Sequence, residues 1–274
     1  MSAHELDHVA FAVPEWRRAG EMLHRQLGAR FASGFSLPAF NPCQVVLAGD
    51  MRLELLEPGS SPESFIARFL AENEGNAAPH HITFKVKDIS AAVAAAQAAG
   101  IEPILVNTEH PMWQEAFLHP RDTGLGFLAQ MVQALEPLEE MAGDSGFSTA
   151  CPWTESSSTP AGLPVVFGQV TDLQRAEHVL VNVLGAGRHQ LPAVPGGEPA
   201  AMFRWPDGAD LILQESPAAG GVSGLKALGI TAADEPWAGA DQPGLLEMLN
   251  AGPFYPELGI RISPLRIPAT AGSG

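Results

Sequence analysis

The sequence predicts an α+β protein made of tandem βαβββ units that form two cupped-sheet domains, the second degenerate. One observation is a recurring segment, met three times along the chain: a short strand, an acidic turn, an amphipathic helix and a glycine. Another is that three further strand signals follow each recurrence. A third is a single polar, Ser- and Pro-rich stretch that separates two such units from the rest.

The first unit opens with HVAFAVPE from His8 and continues with WRRAGEMLHRQLGA to Gly28-Ala29. The second opens with HITFKVKD from His81 and continues with ISAAVAAAQAAGI to Gly100-Ile101. The third opens with VVFGQVTD from Val165 and continues with LQRAEHVLVNVLGA to Gly185-Ala186. From the first strand residue to the glycine the spacings are 20, 19 and 20 residues. Glu15, Asp88 and Asp172 stand where a helix start favours an acidic group. Gly28, Gly100 and Gly185 stand where a helix end needs positive φ.

The later strands of the first unit are ARFASGF, CQVVLAG and MRLELLEP. Those of the second are PILVN, EAFLHP and GFLAQMVQ, and those of the third are RHQLPAV, AAMFRWP and ADLILQESP. SPESFIARFLAENEG, residues 61–75, reads as a short helix with a Ser N-cap and an apolar face of Phe65, Ile66, Phe69 and Leu70, a connector packed on the sheet. A fourth, short and irregular unit runs from near Leu225 to ELGIRISPL at 257–265. The expected division is 1–135 for the first domain, 136–162 for the linker, 163–266 for the second domain and 267–274 for a disordered tail.

Composition limits the function. Of the 274 residues 46% are hydrophobic, enough for real cores, and the net charge of −16 argues against nucleic acid as a partner. The two cysteines, Cys43 and Cys151, form no metal or disulfide pattern, which fits a reducing, cytoplasmic location. There is neither a signal-peptide pattern nor an apolar run of the roughly 20 residues a membrane helix needs. The partners expected are a small-molecule substrate and, in a homodimer, a second copy of the chain.

Pairing two units makes them pseudo-symmetric, so equivalent positions face each other across the cleft. His8 and His81 open the first strands, while Glu54 and Gln130 lie in the last strands, 46 and 49 residues later. A carboxylate among leucines on a central strand is costly unless paired or bound to a metal. Two imidazoles, a carboxylate and an amide oxygen make a site for one divalent ion: Zn, Ni, Co, Mn or Fe. In the third unit Val165 and Leu213 stand opposite His8 and Glu54, which removes both ligand types there. His110, Trp113, Gln114 and His119, before the last strand of the second unit, are the candidate substrate contacts.

Residues 6–135 resemble the methylmalonyl-CoA epimerases of the vicinal-oxygen-chelate (glyoxalase/bleomycin-resistance/dioxygenase) superfamily. The segments that carry the likeness are LDHVAFAV, LELLEP, PHHITFKVKDI, FLHPRDTG and GFLAQMVQ. The resemblance implies metal ligands at His8, Glu54, His81 and Gln130. It also locates two departures: the epimerases have a glutamate at the place of Gln130, and another acid in the stretch that reads LPAFNPCQVVL here. Epimerisation needs an acid–base group on each face of the enolate. The expectation is therefore a metal-dependent lyase or isomerase acting on a small oxygen-rich substrate through a chelated enolate-type intermediate, its general base unassigned. One alternative is an Fe(II)-dependent extradiol-type dioxygenase, although those enzymes hold their metal in the C-terminal domain. The other is a non-catalytic small-molecule binding or resistance protein.

Overall fold

The structure, a computed structural model, describes residues 5–134, 149–154, 158–192, 197–216, 223–233, 235, 237 and 239–265. The expected tail and most of the expected linker lie outside the described residues. The fold is α+β, with two sheets of βαβββ-like units and few helices.

The first sheet has eight strands: β1 (Glu5–Ala12), β2 (Arg30–Gly34), β3 (Phe40–Val46), β4 (Arg52–Pro58), β5 (Ala78–Lys85), β6 (Ile104–Asn107), β7 (Trp113–Leu118) and β8 (Leu128–Ala134). Their order is β2-β3-β4-β1-β5-β8-β7-β6. β1 and β5 lie antiparallel at the centre, each flanked in parallel by the last strand of its own unit. The second sheet follows the same plan with β9 (Gly162–Val170), β10 (Gly187–Gln190), β11 (Ala200–Arg204), β12 (Asp210–Glu215), β13 (Gly224–Thr231), β14 (Phe254–Tyr255) and β15 (Ile260–Pro264). Its order is β10-β11-β12-β9-β13-β15-β14.

The helices are α1 (Trp16–Leu27), α2 (Phe65–Glu72), α3 (Ile89–Ala98), α4 (Pro120–Thr123), α5 (Leu173–Asn182) and α6 (Leu245–Ala251). Asp88 and Asp172 cap α3 and α5 through their side chains. Glu15 makes no such bond at α1. A second device is common to all three helices: the first helical N–H donates to a side chain from the end of the neighbouring strand. The pairs are Trp16 with Glu57, Ile89 with Gln133 and Leu173 with Glu215. These acceptors lie three residues beyond Glu54, Gln130 and Ile212. Strand register agrees, since Glu54 pairs Ala10 and Ile212 pairs Phe167. The third-unit counterpart of Glu54 is therefore Ile212; Leu213, expected from the sequence, points to the other face.

Alternation divides each central strand between two faces. Val9, Phe11, Ile82, Phe84, Val166, Leu213 and Leu228 belong to one apolar cluster that also takes in α1, α3 and α5. This cluster joins the two sheets back to back, with Phe84 and Trp205 in ring contact at 5.0 Å. The described part of the expected linker is bound into it too. Trp153 rests against Trp16 and Phe31, and the Thr149 N–H donates to the Gly34 carbonyl.

The outward faces differ. On the first sheet α2 covers one part, Ile66 and Leu70 packing on Ala10, Ala12 and Leu56, and the remainder is open. On the second sheet Leu245 and Leu249 of α6 pack with Val165, Ile212 and Ala227. By register these are the counterparts of His8, Glu54 and His81. The irregular fourth unit has thus put its helix on the outward face, where it plugs the second cup.

Candidate metal centre

Two bulges prepare the site. Opposite β5, β1 carries one extra residue between Leu6 and His8; opposite β1, β5 carries one extra residue between Pro79 and His81. The extra residues are Asp7 and His80. A bulge reverses the facing of the chain beyond it. Leu6 can therefore enter the inner core while His8 turns outward, and His80 and His81 can both line the same cavity.

The bulged residues also orient the imidazoles that follow them. The His8 Nδ1–H donates to Asp7 Oδ2 at 2.7 Å. His81 Nδ1 lies 2.9 Å from His80 Nδ1. Both arrangements leave the Nε2 atoms facing inward. His8 Nε2 is 3.6 Å and His81 Nε2 3.5 Å from Glu54 Oε2. One ligand atom from each of these three residues lies within 4.8 Å of the others, a cluster that could hold a metal ion.

The buried Nε2 of His81 has no hydrogen-bond partner among the described residues. A buried N–H without a partner is costly. The assignment that avoids this puts the His81 proton on Nδ1, donated to His80, and leaves a lone pair at Nε2. An oriented imidazole with a free lone pair beside a carboxylate is what a divalent cation needs. The donor set thus fits a metal.

Burial lowers the His81 pKa well below the ordinary histidine value, helped by the charges of His80 and His8. Burial lowers His80 as well, to about 4. His8 goes the other way. Burial pulls it down, but hydrogen bonds and charge from Asp7 and Glu54 prevail and raise it to about 9. Burial alone would raise the Asp7 carboxyl; the His8 bond and charge, with Lys85 2.6 Å behind, hold it well below the usual range.

Gln130 is tied in from the other side. Thr83 Oγ1 donates to Gln130 Oε1 at 2.6 Å and lies 2.8 Å from His8 Nε2. The Gln130 amide nitrogen donates to Glu115 Oε2 at 2.7 Å, and the Trp113 indole N–H donates to the same oxygen at 3.0 Å. His8, Glu54, His81, Gln130, Glu115 and Trp113 all line one cavity of about 920 Å³.

Of the four expected substrate contacts, His110 and Trp113 line this cavity, whereas Gln114 and His119 do not. Gln114 alternates with Trp113 and Glu115 on β7 and so faces away from the cleft. His119 caps α4, its Nδ1 accepting from the Arg121 N–H. Sequence reasoning missed Asp7, His80, Thr83 and Glu115. Glu115 had a usable signal: it sits two residues from Trp113, on the same strand face.

Residues 7–117 match the profile of the Glyoxalase/Bleomycin resistance protein/Dioxygenase superfamily. The chain is 34% identical to the mitochondrial methylmalonyl-CoA epimerase of Homo sapiens over 132 residues, covering 47% of this chain and 73% of that protein. The Mus musculus protein of the same name is also 34% identical, with 72% of it covered. Over most of the chain the fold is similar to a 4-hydroxymandelate synthase mutant from Streptomyces coelicolor, with a TM-score of 0.57, 14% identity and 85% of this chain covered. It is similar as well to a hypothetical protein from Staphylococcus aureus, with a TM-score of 0.60, 11% identity and coverage of 96% of this chain and all of the other. At such identities these two show the fold alone. The sequence matches, taken with the paired βαβββ units, lead to one conclusion: the chain belongs to the glyoxalase/bleomycin resistance protein/dioxygenase superfamily.

Proposed function

We propose that the chain is a metal-dependent lyase or isomerase that acts on a small substrate carrying two neighbouring oxygens. One observation supports this above the others: His8, Glu54 and His81 converge, and the buried His81 Nε2 between them has no hydrogen-bond partner among the described residues. His8, Glu54 and His81 hold the ion, and Gln130 is the fourth candidate ligand. When bound, the ion supplies Lewis acidity to the substrate's oxygen pair, which acidifies the neighbouring C–H.

The rest falls to side chains. Asp7 and His80 fix the two imidazoles. Glu115 is the carboxylate placed to take a proton from carbon and return it. Both of its hydrogen bonds fall on Oε2, which leaves Oε1 for the proton. The relatives named methylmalonyl-CoA epimerase make an isomerase-type proton transfer a precedent.

Two imidazoles and one carboxylate are also the donor set of Fe(II) oxygenases. An Fe(II)-dependent dioxygenase is therefore the second reading. Elemental analysis of untagged protein, alongside His8→Ala and His81→Ala, tests both. Near one ion per chain, abolished by either substitution, is the expected result. Zn, Ni, Co or Mn supports the lyase or isomerase; iron with substrate-dependent oxygen uptake supports the dioxygenase. No ion, even after reconstitution, overturns both.

A further inference from the structure

We propose that the cavity takes an uncharged, largely apolar ring compound with two adjacent oxygens, and not an acyl-CoA or another polyanion. The inference rests on the metal reading above for the oxygen pair, and on the cavity wall alone for the rest. Among the described residues that line the cavity there is no lysine or arginine, and the acidic side chains are Glu54 and Glu115. A phosphorylated or multiply carboxylated ligand would enter against both carboxylates and a net charge of −16, with no lysine or arginine among the described lining residues to pair its outer charges.

The wall is instead aromatic and aliphatic: Phe35, Phe40, Phe65, Trp113 and Phe117 lie above the polar floor. The mouth is apolar as well. Leu37, Phe65, Leu105 and Val106 line the cavity yet are large hydrophobic side chains left exposed, Leu105 at 71% and Val106 at 47%. Such side chains stay in water at a cost unless a ligand covers them.

The placement of Leu105 is built in. Between the pairs Ile104–Phe117 and Asn107–Glu115, β6 carries one residue more than β7. Leu105 sits there at φ 52, a left-handed backbone that a leucine rarely adopts. The bulge brings two successive apolar side chains, Leu105 and Val106, to the rim. Strain of this kind persists where surrounding structure imposes it, and it gathers at ligand sites. The volume, about 920 Å³, lies at the upper end of small-molecule sites.

The test is titration calorimetry on the full-length protein with three probes: Co(II) alone, a naphthalene bearing two adjacent hydroxyls, and acetyl-CoA. A plain naphthol added to metal-free protein serves as the metal-independent arm. The diol is expected to bind the Co(II)-loaded protein, the naphthol to bind the metal-free protein more weakly, and acetyl-CoA to bind neither. The double variant Leu37→Glu, Val106→Glu is expected to take up Co(II) as wild type does. It should bind both ring probes about tenfold more weakly. Failure of Co(II) to bind, with naphthol still bound, sinks the metal reading and leaves the ring-site proposal standing. Acetyl-CoA binding more tightly than the diol, no binding of either ring probe, or ring binding that the double variant leaves unchanged overturns the proposal itself.

Discussion

At the scale of single residues, the site depends on side chains that act one step behind the candidate ligands. Asp7 is not one of the candidate ligands, yet it accepts the His8 Nδ1 proton and so presents Nε2 to the site. Asp7→Asn keeps the size and removes the charge. Loss of such a partner lowers metal affinity by about 10- to 100-fold, and a competitive chelator titration should show a fall of that order. Glu115→Gln is expected to keep metal content, read by elemental analysis, and to lose most of the proposed proton transfer. Full wild-type hydrogen–deuterium exchange at the substrate's carbon acid in that variant would remove Glu115 from the mechanism.

The histidines also set how stability follows pH in metal-free protein. His8 rises from 6.5 unfolded to about 9 folded. Its contribution is complete below pH 6.5 and is lost as pH climbs through 9. His80 falls from 6.5 to about 4. Its contribution is present above 6.5 and is lost as pH drops through 4. Urea midpoints of chelator-treated protein are expected to decline on both sides of neutral pH, and His8→Asn should remove the alkaline decline.

His8, Glu54, His81 and Gln130 were visible in the sequence because repetition supplied a second reading of each position. Their supporting residues were not, because a bulge shifts strand facing by one. Alternation alone puts Asp7 and His80 on the wrong face, and nothing in the residue types signals an extra residue in the strand.

At the scale of elements, the first three units follow their sequence pattern closely, down to the helix ends; Gly28, for instance, closes α1 at φ 65. The fourth breaks it. Its helix α6 forms part of the plug over β9, β12 and β13 instead of joining the inner layer. Apolar content shows that this helix must be buried, but not on which side of the sheet. Leu249→Ala should cost about 2–5 kcal/mol, the range for emptying a buried leucine site. Because the plug lies on the other sheet, metal stoichiometry should not change. Gly229 is held to the same packing, since a Cβ there would run into Val165, Leu249 and Leu265.

At the scale of the whole molecule, the shared inner layer makes the two sheets depend on each other. The repeat count predicted two cupped sheets, but strand patterns within each unit carry no information on how the sheets' backs meet. Leu6, Phe84, Val166 and Trp205 belong to one apolar cluster. Gly208, at φ 90, lies so close to the Leu6 carbonyl that any Cβ would collide with it. A chain cut after residue 135 would leave that inner face wet. Such a fragment is expected to aggregate or to unfold without a sharp urea transition. A monomeric, cooperatively folding fragment would show that the inner layer is dispensable.

The bulge at His80 has one more consequence, for how such a cleft diversifies. Substitutions change a wall one side chain at a time, whereas a single-residue insertion or deletion in β5 would change which residues face the ligand from that point outward. The edge strand on the same side of the sheet, β6, has its own extra residue beside Leu105. Both lie outside the pairing that holds His81 against Ala10. Length variation at these two places would thus reline the cavity while the pairing of His81 with Ala10 stays in register.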